Sequence, residues 1–157
     1  MVAIRSASTK PELKLRHILW RNGFRFRVND KRFPGKPDIV LPKYHTVVFI
    51  HGCFWHGHRG CKYYTVPKTN TDFWTTKITR NHQRDQEVWR QLEAKGWSVL
   101  IVWECQLKKA VFDETTTGLQ QRLSRMVNDT TVFKKNGGYP ARNISKKDVL
   151  NRKGVHY

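Results

Sequence analysis

Hydrophobic positions along the chain recur with two different periods, one typical of helices and one of strands. A stripe with helical spacing, preceded by a capping-box pattern and followed by glycine, predicts a first helix over about residues 10–22. Apolar and basic residues alternate over 24–28, which predicts a half-buried strand. The segment 38–41, in which three aliphatic residues follow Asp38, and the continuous apolar run at 46–50 predict two strands paired as an antiparallel hairpin.

The second half of the pattern continues the alternation of helices and strands. An amphipathic stripe over about 72–95, closed by Gly96, predicts a long helix. Residues 97–103 form another buried apolar run, and residues 114–128 have the spacing of a final amphipathic helix. This order of elements, without internal repeats, predicts an α/β domain in which helices cover a central sheet.

The charge of the chain is strongly positive and unevenly distributed. Lys and Arg number 30 against 12 Asp and Glu, a net charge of +18 over 157 residues. Of this surplus, +6 lies in residues 131–157, which contain two adjacent glycines and few aliphatic residues. We therefore predict a compact domain over 1–130 and a flexible basic arm over 131–157, with nucleic acid as the polyanionic partner.

Other features of the composition exclude several classes of protein. No apolar run reaches the ~18–20 residues needed to span a bilayer, and no signal peptide opens the chain. Three cysteines are too few for a disulfide-stapled secreted fold, so a cytoplasmic protein is expected. A basic protein that merely coats nucleic acid is the simplest alternative, but six Trp, eight Phe and five Tyr exceed what such a coat needs.

The three cysteines and one histidine form a pattern typical of a structural metal site. Cys53, His58 and Cys61 lie within nine residues, and Cys105 follows the last predicted strand. A Cys3His set suits tetrahedral Zn²⁺, and four protein ligands leave no position for a catalytic water. The alternative is that the cysteines are free thiols in a reduced protein. If zinc is bound, catalytic chemistry must lie elsewhere.

An acidic residue and two further histidines are candidates for that chemistry. Asp38 begins a predicted strand directly after Pro-Gly-Lys-Pro, and a carboxylate there, with backbone carbonyls, would suit Mg²⁺. It could instead only terminate a turn. His51 and His56 remain once His58 is assigned to zinc, and histidine can transfer protons near neutral pH. Hydrogen-bonded structural histidines are the alternative.

Asp85 is a further candidate because of its place on the predicted long helix. It precedes an inward-facing apolar pair by one helical turn, so its carboxylate is expected to face inward. A buried carboxylate needs a partner, which implies a histidine or lysine. The alternative is a surface aspartate that pairs with Arg84 or Lys77.

Several motifs occur in an order that resembles a known family. They are PGKPD at 34–38, HGCFWH at 51–56, the Phe-Trp pair at 73–74 and WSVLIVWEC at 97–105. Over about residues 2–128, the chain resembles the very short patch repair (Vsr) DNA mismatch endonucleases. The resemblance implies a restriction-endonuclease-like fold, with a mixed central sheet flanked by helices and a structural zinc. It also implies nicking of DNA on the 5′ side of the thymine in a T:G mismatch, which arises when 5-methylcytosine deaminates.

The resemblance also implies roles for the catalytic candidates. Asp38 would hold Mg²⁺, aided by the backbone carbonyl of Ile50. His56 would be the proton-transferring base, and Asp85 would orient the site through it. His51 would stabilise the phosphate or the leaving oxygen. The lysine usual on the second strand of restriction-like nucleases is missing here, so histidine chemistry must replace it.

Further positions match the family's carboxylate, zinc and DNA contacts. Glu12 matches an acidic position near the metal-bound water, and the Cys3His set matches the zinc ligands. Phe54, Trp55 and Trp74 match aromatic residues that wedge into the duplex beside the mismatch, where unstacking a wobble pair costs least. Ordinary core packing is the alternative for these rings.

The resemblance finally implies the setting in which the protein acts. Its partner would be double-stranded DNA containing a T:G mismatch, met as a monomer at the bacterial nucleoid, with functional links to a cytosine-5 DNA methyltransferase and a repair polymerase. The chain starts close to its first helix, so DNA grip is expected to be weaker or to come from the C-terminal arm. Two other functions stay open: a restriction-like endonuclease that needs no mismatch, and a zinc-stabilised DNA-binding module without catalysis.

Overall fold

The computed structural model describes residues 9–135, which form a mixed α/β arrangement of four strands and three helices. Among these residues, no helix is both long and apolar enough to cross a membrane. In chain order the elements are α1 (Lys10–Arg21), β1 (Arg27–Val28), β2 (Ile39–Leu41), β3 (Thr46–His51), α2 (Thr71–Ala94), β4 (Ser98–Trp103) and α3 (Phe112–Lys135).

The sheet has the order β1-β2-β3-β4 and contains both kinds of strand pairing. β2 and β3 form the predicted antiparallel hairpin, in which Ile39 lies opposite Val48. β3 and β4 are parallel, and α2 is the crossover between them. Because the pairing is parallel, His51 and Trp103 end their strands side by side at one edge of the sheet.

Apolar side chains pack on both faces of the sheet, which confirms the predicted layered domain. One core unites α1 and α3 with alternate strand residues such as Val48 and Val102. The other packs Leu92 of α2 against Val47 and Phe49. Successive residues of β3 therefore enter opposite cores, which explains why the sequence of this strand is an unbroken apolar run.

The first strand is shorter than the alternating pattern over 24–28 predicts. Only Arg27 and Val28 pair with β2. Continuing the same register would place Phe26 opposite Leu41, the last residue of β2, and Arg25 opposite Pro42, where a 3-10 turn begins. That turn ends β2 at Leu41, so the residues before Phe26 have no strand to pair with.

The predicted helices over 10–22 and 72–95 agree with α1 and α2 to within one residue at each end. The third helix exceeds its predicted bounds of 114–128, because it begins at Phe112 and continues to Lys135. Acidic residues in its first turn favour the earlier start. The predicted boundary between 130 and 131 falls inside α3, and the remainder of the predicted arm lies outside the described residues.

Candidate active site

Asp38 lies just before β2, opposite the end of β3 in the antiparallel register. Its Oδ2 accepts a hydrogen bond of 2.7 Å from the backbone N–H of Ile50. The pKa of Asp38 is raised to about 6. Burial is the main cause and the neighbouring Glu12 adds to it, while the hydrogen bond from Ile50 opposes the rise. Burial disfavours the ionised form of this carboxylate, and a cation bound beside it would stabilise that form. Asp38 therefore fits the chemistry of a divalent metal site.

Glu12 is the second carboxylate near this position, and it is only 5% exposed. Thr9 is at the N-cap of α1, but its side chain makes no hydrogen bond to the helix backbone, so the predicted capping box is wrong. The Thr9 hydroxyl instead donates to Oε1 of Glu12 at 2.9 Å. Arg16 donates to Oε2 of Glu12 at 3.1 Å and to the backbone carbonyl of Asp38 at 3.3 Å. Glu12 and Asp38 are thus linked across two elements.

The two catalytic candidate histidines stack against each other at the end of β3. The ring centroids of His51 and His56 are 3.8 Å apart, with 17° between the ring planes. Asp85 of α2 lies 2.5 Å from Nδ1 of His56, which matches the inward orientation predicted for this carboxylate. Chain segments 29 residues apart thus form an Asp–His pair, the arrangement that fixes the orientation and tautomer of a proton-transferring imidazole.

His51 is in a different environment from His56. It is 3% exposed, and burial, followed by the nearby His56, lowers its pKa to about 3. The ring is therefore neutral at pH 7. Any contact that His51 makes with a phosphate or a leaving oxygen is then a hydrogen bond rather than a charge interaction.

His51, His56 and Asp85 have potential ligand atoms within 4.8 Å of one another, which raises the question of a metal site there. An imidazole binds a metal ion in the plane of its ring, through the nitrogen lone pair. Because the two rings are almost parallel and stacked, their lone pairs do not converge on one point. The geometry favours proton transfer over metal binding at this cluster.

The four predicted zinc ligands form a separate cluster at the same edge of the sheet. Potential ligand atoms of Cys53, His58, Cys61 and Cys105 all lie within 4.8 Å of one another. Burial raises the pKa of Cys53, and it raises that of Cys105 to about 12. Thiols this reluctant to ionise need a nearby cation to become thiolates, and Zn²⁺ supplies that charge. The donor set therefore fits Zn²⁺.

The predicted wedge residues lie together beside the histidines. The rings of Phe54, Trp55 and Trp74 contact one another edge to face, with centroids 5.2–6.0 Å apart. Phe73 joins the group, 5.1 Å from Trp74, and is 57% exposed. We call these four residues the aromatic cluster. Their exposure argues against simple core packing.

Known proteins that are similar to this chain identify its family. The family model described as "DNA mismatch endonuclease Vsr" matches residues 1–62. The type II nicking enzyme V.NmeAIP of Neisseria meningitidis serogroup A is 51% identical over 129 residues, which cover 82% of this chain and 87% of that protein. The chain belongs to the Vsr family. DNA mismatch endonuclease Vsr of Escherichia coli K12 is 44% identical over 119 residues, covering 74% and 76% of the two chains.

Membership of the Vsr family makes the chain a DNA endonuclease. The family also implies the restriction-endonuclease-like fold, with which the observed mixed sheet and flanking helices are consistent. The Vsr motifs identified in the sequence therefore mark the edge of the sheet where the Asp–His pair, the carboxylates and the aromatic cluster meet.

Three residues at this Vsr site did not emerge as site residues from the sequence. Lys77 places its ammonium 5.3–5.8 Å from three rings of the aromatic cluster. His82 approaches Gly57, where an added Cβ would lie 2.9 Å from its Nε2, so only glycine fits there with φ at +62°. Arg16 bridges the Glu12 carboxylate and the backbone carbonyl of Asp38. For Lys77 and Arg16, the sequence did offer a signal: each lies one helical turn after a predicted site residue, Trp74 and Glu12 respectively.

Proposed function

We propose that this endonuclease nicks one DNA strand on the 5′ side of the thymine in a T:G mismatch. The observation that carries the proposal is that Phe54 and Trp55 of the aromatic cluster share one short loop with His56, while α2 supplies Trp74 and Asp85 beside them. Trp55 and His56 are adjacent in sequence, so a ring inserted at a lesion would bring the imidazole next to the neighbouring backbone. Because a mismatched pair costs less to unstack, such a wedge selects the lesion.

The residues have separable roles in the proposed reaction. Asp38, with the backbone carbonyl of Ile50, would hold Mg²⁺ at the start of β2, and Glu12 would lie beside the water that the metal site holds. When bound, Mg²⁺ activates water and neutralises charge on the scissile phosphate. His56 transfers the proton, and Asp85 keeps its ring oriented. His51, buried beneath His56, limits the tilt of that ring and excludes water from its inner face.

The Cys3His cluster supports a structural zinc in this proposal. With four protein ligands, the ion has no open position and would tie the 52–61 loop to the end of β4. Phe54 and Trp55 of the wedge and the catalytic histidine belong to that loop. Zinc would therefore act on catalysis through the rigidity of the loop.

Nicking assays on labelled duplexes test the proposed function. The matched pair of substrates differs only in a T:G or a T:A pair at one position, and each is incubated with and without Mg²⁺. Cleavage of the thymine strand alone, only in the mismatched duplex and only with Mg²⁺, is expected. Cleavage of the paired duplex would instead indicate a restriction-like endonuclease, and binding without cleavage a DNA-binding module.

The setting in the cell is part of the same proposal. A T:G pair arises from 5-methylcytosine, so the substrate depends on a cytosine-5 DNA methyltransferase, and the nick must be extended by a repair polymerase. We expect the protein to act as a cytoplasmic monomer on nucleoid DNA. The net charge of +18 supports tight, salt-dependent association with duplex DNA.

Replacing Asp85 with asparagine is expected to lower the nicking rate about 10²-fold. The amide cannot stabilise a protonated His56, and it can bind the wrong tautomer. Asp72→Asn is the matched control, because Asp72 is an exposed acidic residue in the first turn of the same helix. Single-turnover rates across pH 5–9 measure the effect. Rates within twofold of the parent at every pH would contradict the orienting role.

Replacing Trp55 with alanine is expected to weaken binding of a T:G duplex about 10-fold, because base–aromatic stacking contributes ~1–3 kcal/mol. Binding of the fully paired duplex should change much less, since the wedge has no lesion to enter. Trp20→Ala is the control, because Trp20 is 55% exposed on α1, away from the aromatic cluster. Equal losses on both duplexes, measured by fluorescence anisotropy, would contradict the wedge.

A further inference from the structure

We propose that Arg16 is a positioning residue for the carboxylate pair, an inference that rests on the proposed function. One nitrogen of its guanidinium, Nη2, contacts both the Glu12 carboxylate and the backbone carbonyl of Asp38. Arg16 thus joins α1 to the start of β2 across 22 residues of chain. Its role would be to set the separation of Glu12 and Asp38 before a divalent cation binds.

The burial of this contact favours a positioning role over a surface ion pair. The side chains of Arg16 and Glu12 are 11% and 7% exposed. A surface pair at helical spacing contributes little, because water and salt screen it. A guanidinium held this far from solvent stays charged, keeps a fixed geometry and remains beside the carboxylates.

The contacts of Glu12 strengthen the inference. Thr9 holds one carboxylate oxygen and Arg16 the other, so the orientation of the group is determined from both sides. Without Arg16, the Glu12 carboxylate would lose the contact that orients Oε2, and the repulsion between Glu12 and Asp38 would lose a compensating positive charge. Misplacement of a catalytic group by about 1 Å can lower a rate 10²-fold.

The contacts of Arg16 lead to a prediction that distinguishes a positioning role from a role in DNA binding. Arg16→Met should lower the single-turnover nicking rate about 10- to 100-fold, while the dissociation constant for a T:G duplex stays within about twofold. The Mg²⁺ concentration that gives half of the Mg²⁺-induced rise in Tm, measured without DNA, should increase at least about fivefold. Arg16→Lys should restore part of both losses, because its ammonium can donate to the same two oxygens.

Two further variants serve as matched controls. Arg21→Met removes the same charge from an exposed position on the same helix and should leave the rate and the Mg²⁺ response unchanged. In a double-mutant cycle, adding Arg16→Met to Glu12→Gln should slow the enzyme much less than it slows the parent, because Arg16 acts largely through Glu12.

Each other outcome overturns the inference in a distinct way. A lower Tm with an unchanged rate and Mg²⁺ response would leave Arg16 with only a structural role. Weaker DNA binding with a smaller salt dependence and an unchanged rate would make it a phosphate contact. If Arg16→Met fails to fold, Arg16→Gln, which removes the positive charge but keeps a polar side chain, would still refute positioning by showing full activity and a parental Mg²⁺ response. If the parent does not nick T:G duplexes, the proposed function fails, and the Mg²⁺-induced change in Tm still tests Arg16.

Discussion

Replacing Asp38 with alanine is expected to lower the nicking rate by at least about 10³-fold, because loss of a metal ligand removes several kcal/mol of transition-state stabilisation. Binding of a T:G duplex in the absence of Mg²⁺ should stay within about threefold, since the aromatic cluster and the basic surface are unchanged. Single-turnover assays and fluorescence anisotropy on the same duplex measure the two quantities. Normal turnover by the variant would refute the role of Asp38.

Asp30→Ala is the matched control for this substitution. Asp30 lies in the loop after β1, where its bidentate contact with Arg32 lowers its pKa to about 2. Removing it deletes the same charge from the same side of the domain, yet the nicking rate should remain within about twofold. A loss as large as that of Asp38→Ala would mean that net charge, rather than metal binding, explains the effect.

The burial of Asp38 also predicts how metal-free stability depends on pH. Its pKa is raised from 3.8 to about 6, so the folded protein binds this proton more tightly than the unfolded chain does. The contribution of Asp38 to stability is therefore most favourable below pH 4 and is lost as the pH rises towards 6. Asp38→Asn should raise the metal-free free energy of unfolding at pH 7.5 by about 1–3 kcal/mol. The same Asp38→Asn variant should therefore be more stable without metal and yet unable to nick DNA.

Replacing Cys105 with serine is expected to lower bound zinc from one equivalent to less than about half and to lower Tm by about 10 °C or more. The physical reason is that Cys105 alone comes from the end of β4, whereas the other three ligands share one loop. Losing it disconnects the loop from the sheet. Zinc content by mass spectrometry and thermal unfolding measure the effect.

The control for the zinc site must come from another residue type, because all three cysteines lie in the cluster. His17→Asn removes an exposed potential ligand from α1 and should leave zinc content and Tm unchanged. Chelation of the parent should reproduce the Tm of Cys105→Ser. A variant that keeps one zinc per chain would count against the four-ligand site.

Much of the sheet could be predicted from the sequence because its strands are short apolar runs between clear breaks. The hairpin followed from the spacing of two such runs around Pro42. The bounds of α3 could not be predicted as well. No proline or glycine lies between residues 119 and 136, so the pattern has no stop signal where the amphipathic stripe fades.

The candidate site was predictable to the extent that its residues lie in compact motifs. The HGCFWH segment and three of the four Cys3His residues lie within eleven residues, 51–61, and only Cys105 of that set is distant. Arg16 was not predictable, because its meaning depends on Asp38, a residue 22 positions away, through a backbone carbonyl that no side-chain pattern reveals. The capping box was wrong because the Thr9 hydroxyl donates to the Glu12 carboxylate and makes no hydrogen bond to the helix backbone.

Helix α2 carries Trp74 of the aromatic cluster near one end and Asp85, the partner of His56, eleven residues later. A helix rises 1.5 Å per residue, so these two positions are held about 16 Å apart along a stiff rod. On the proposed function, the spacing between lesion reading and strand cutting is therefore built into a single rigid element. Inserting one residue between them would turn Asp85 by about 100° away from His56, so strand cutting should fall while Trp74 keeps its place in the aromatic cluster.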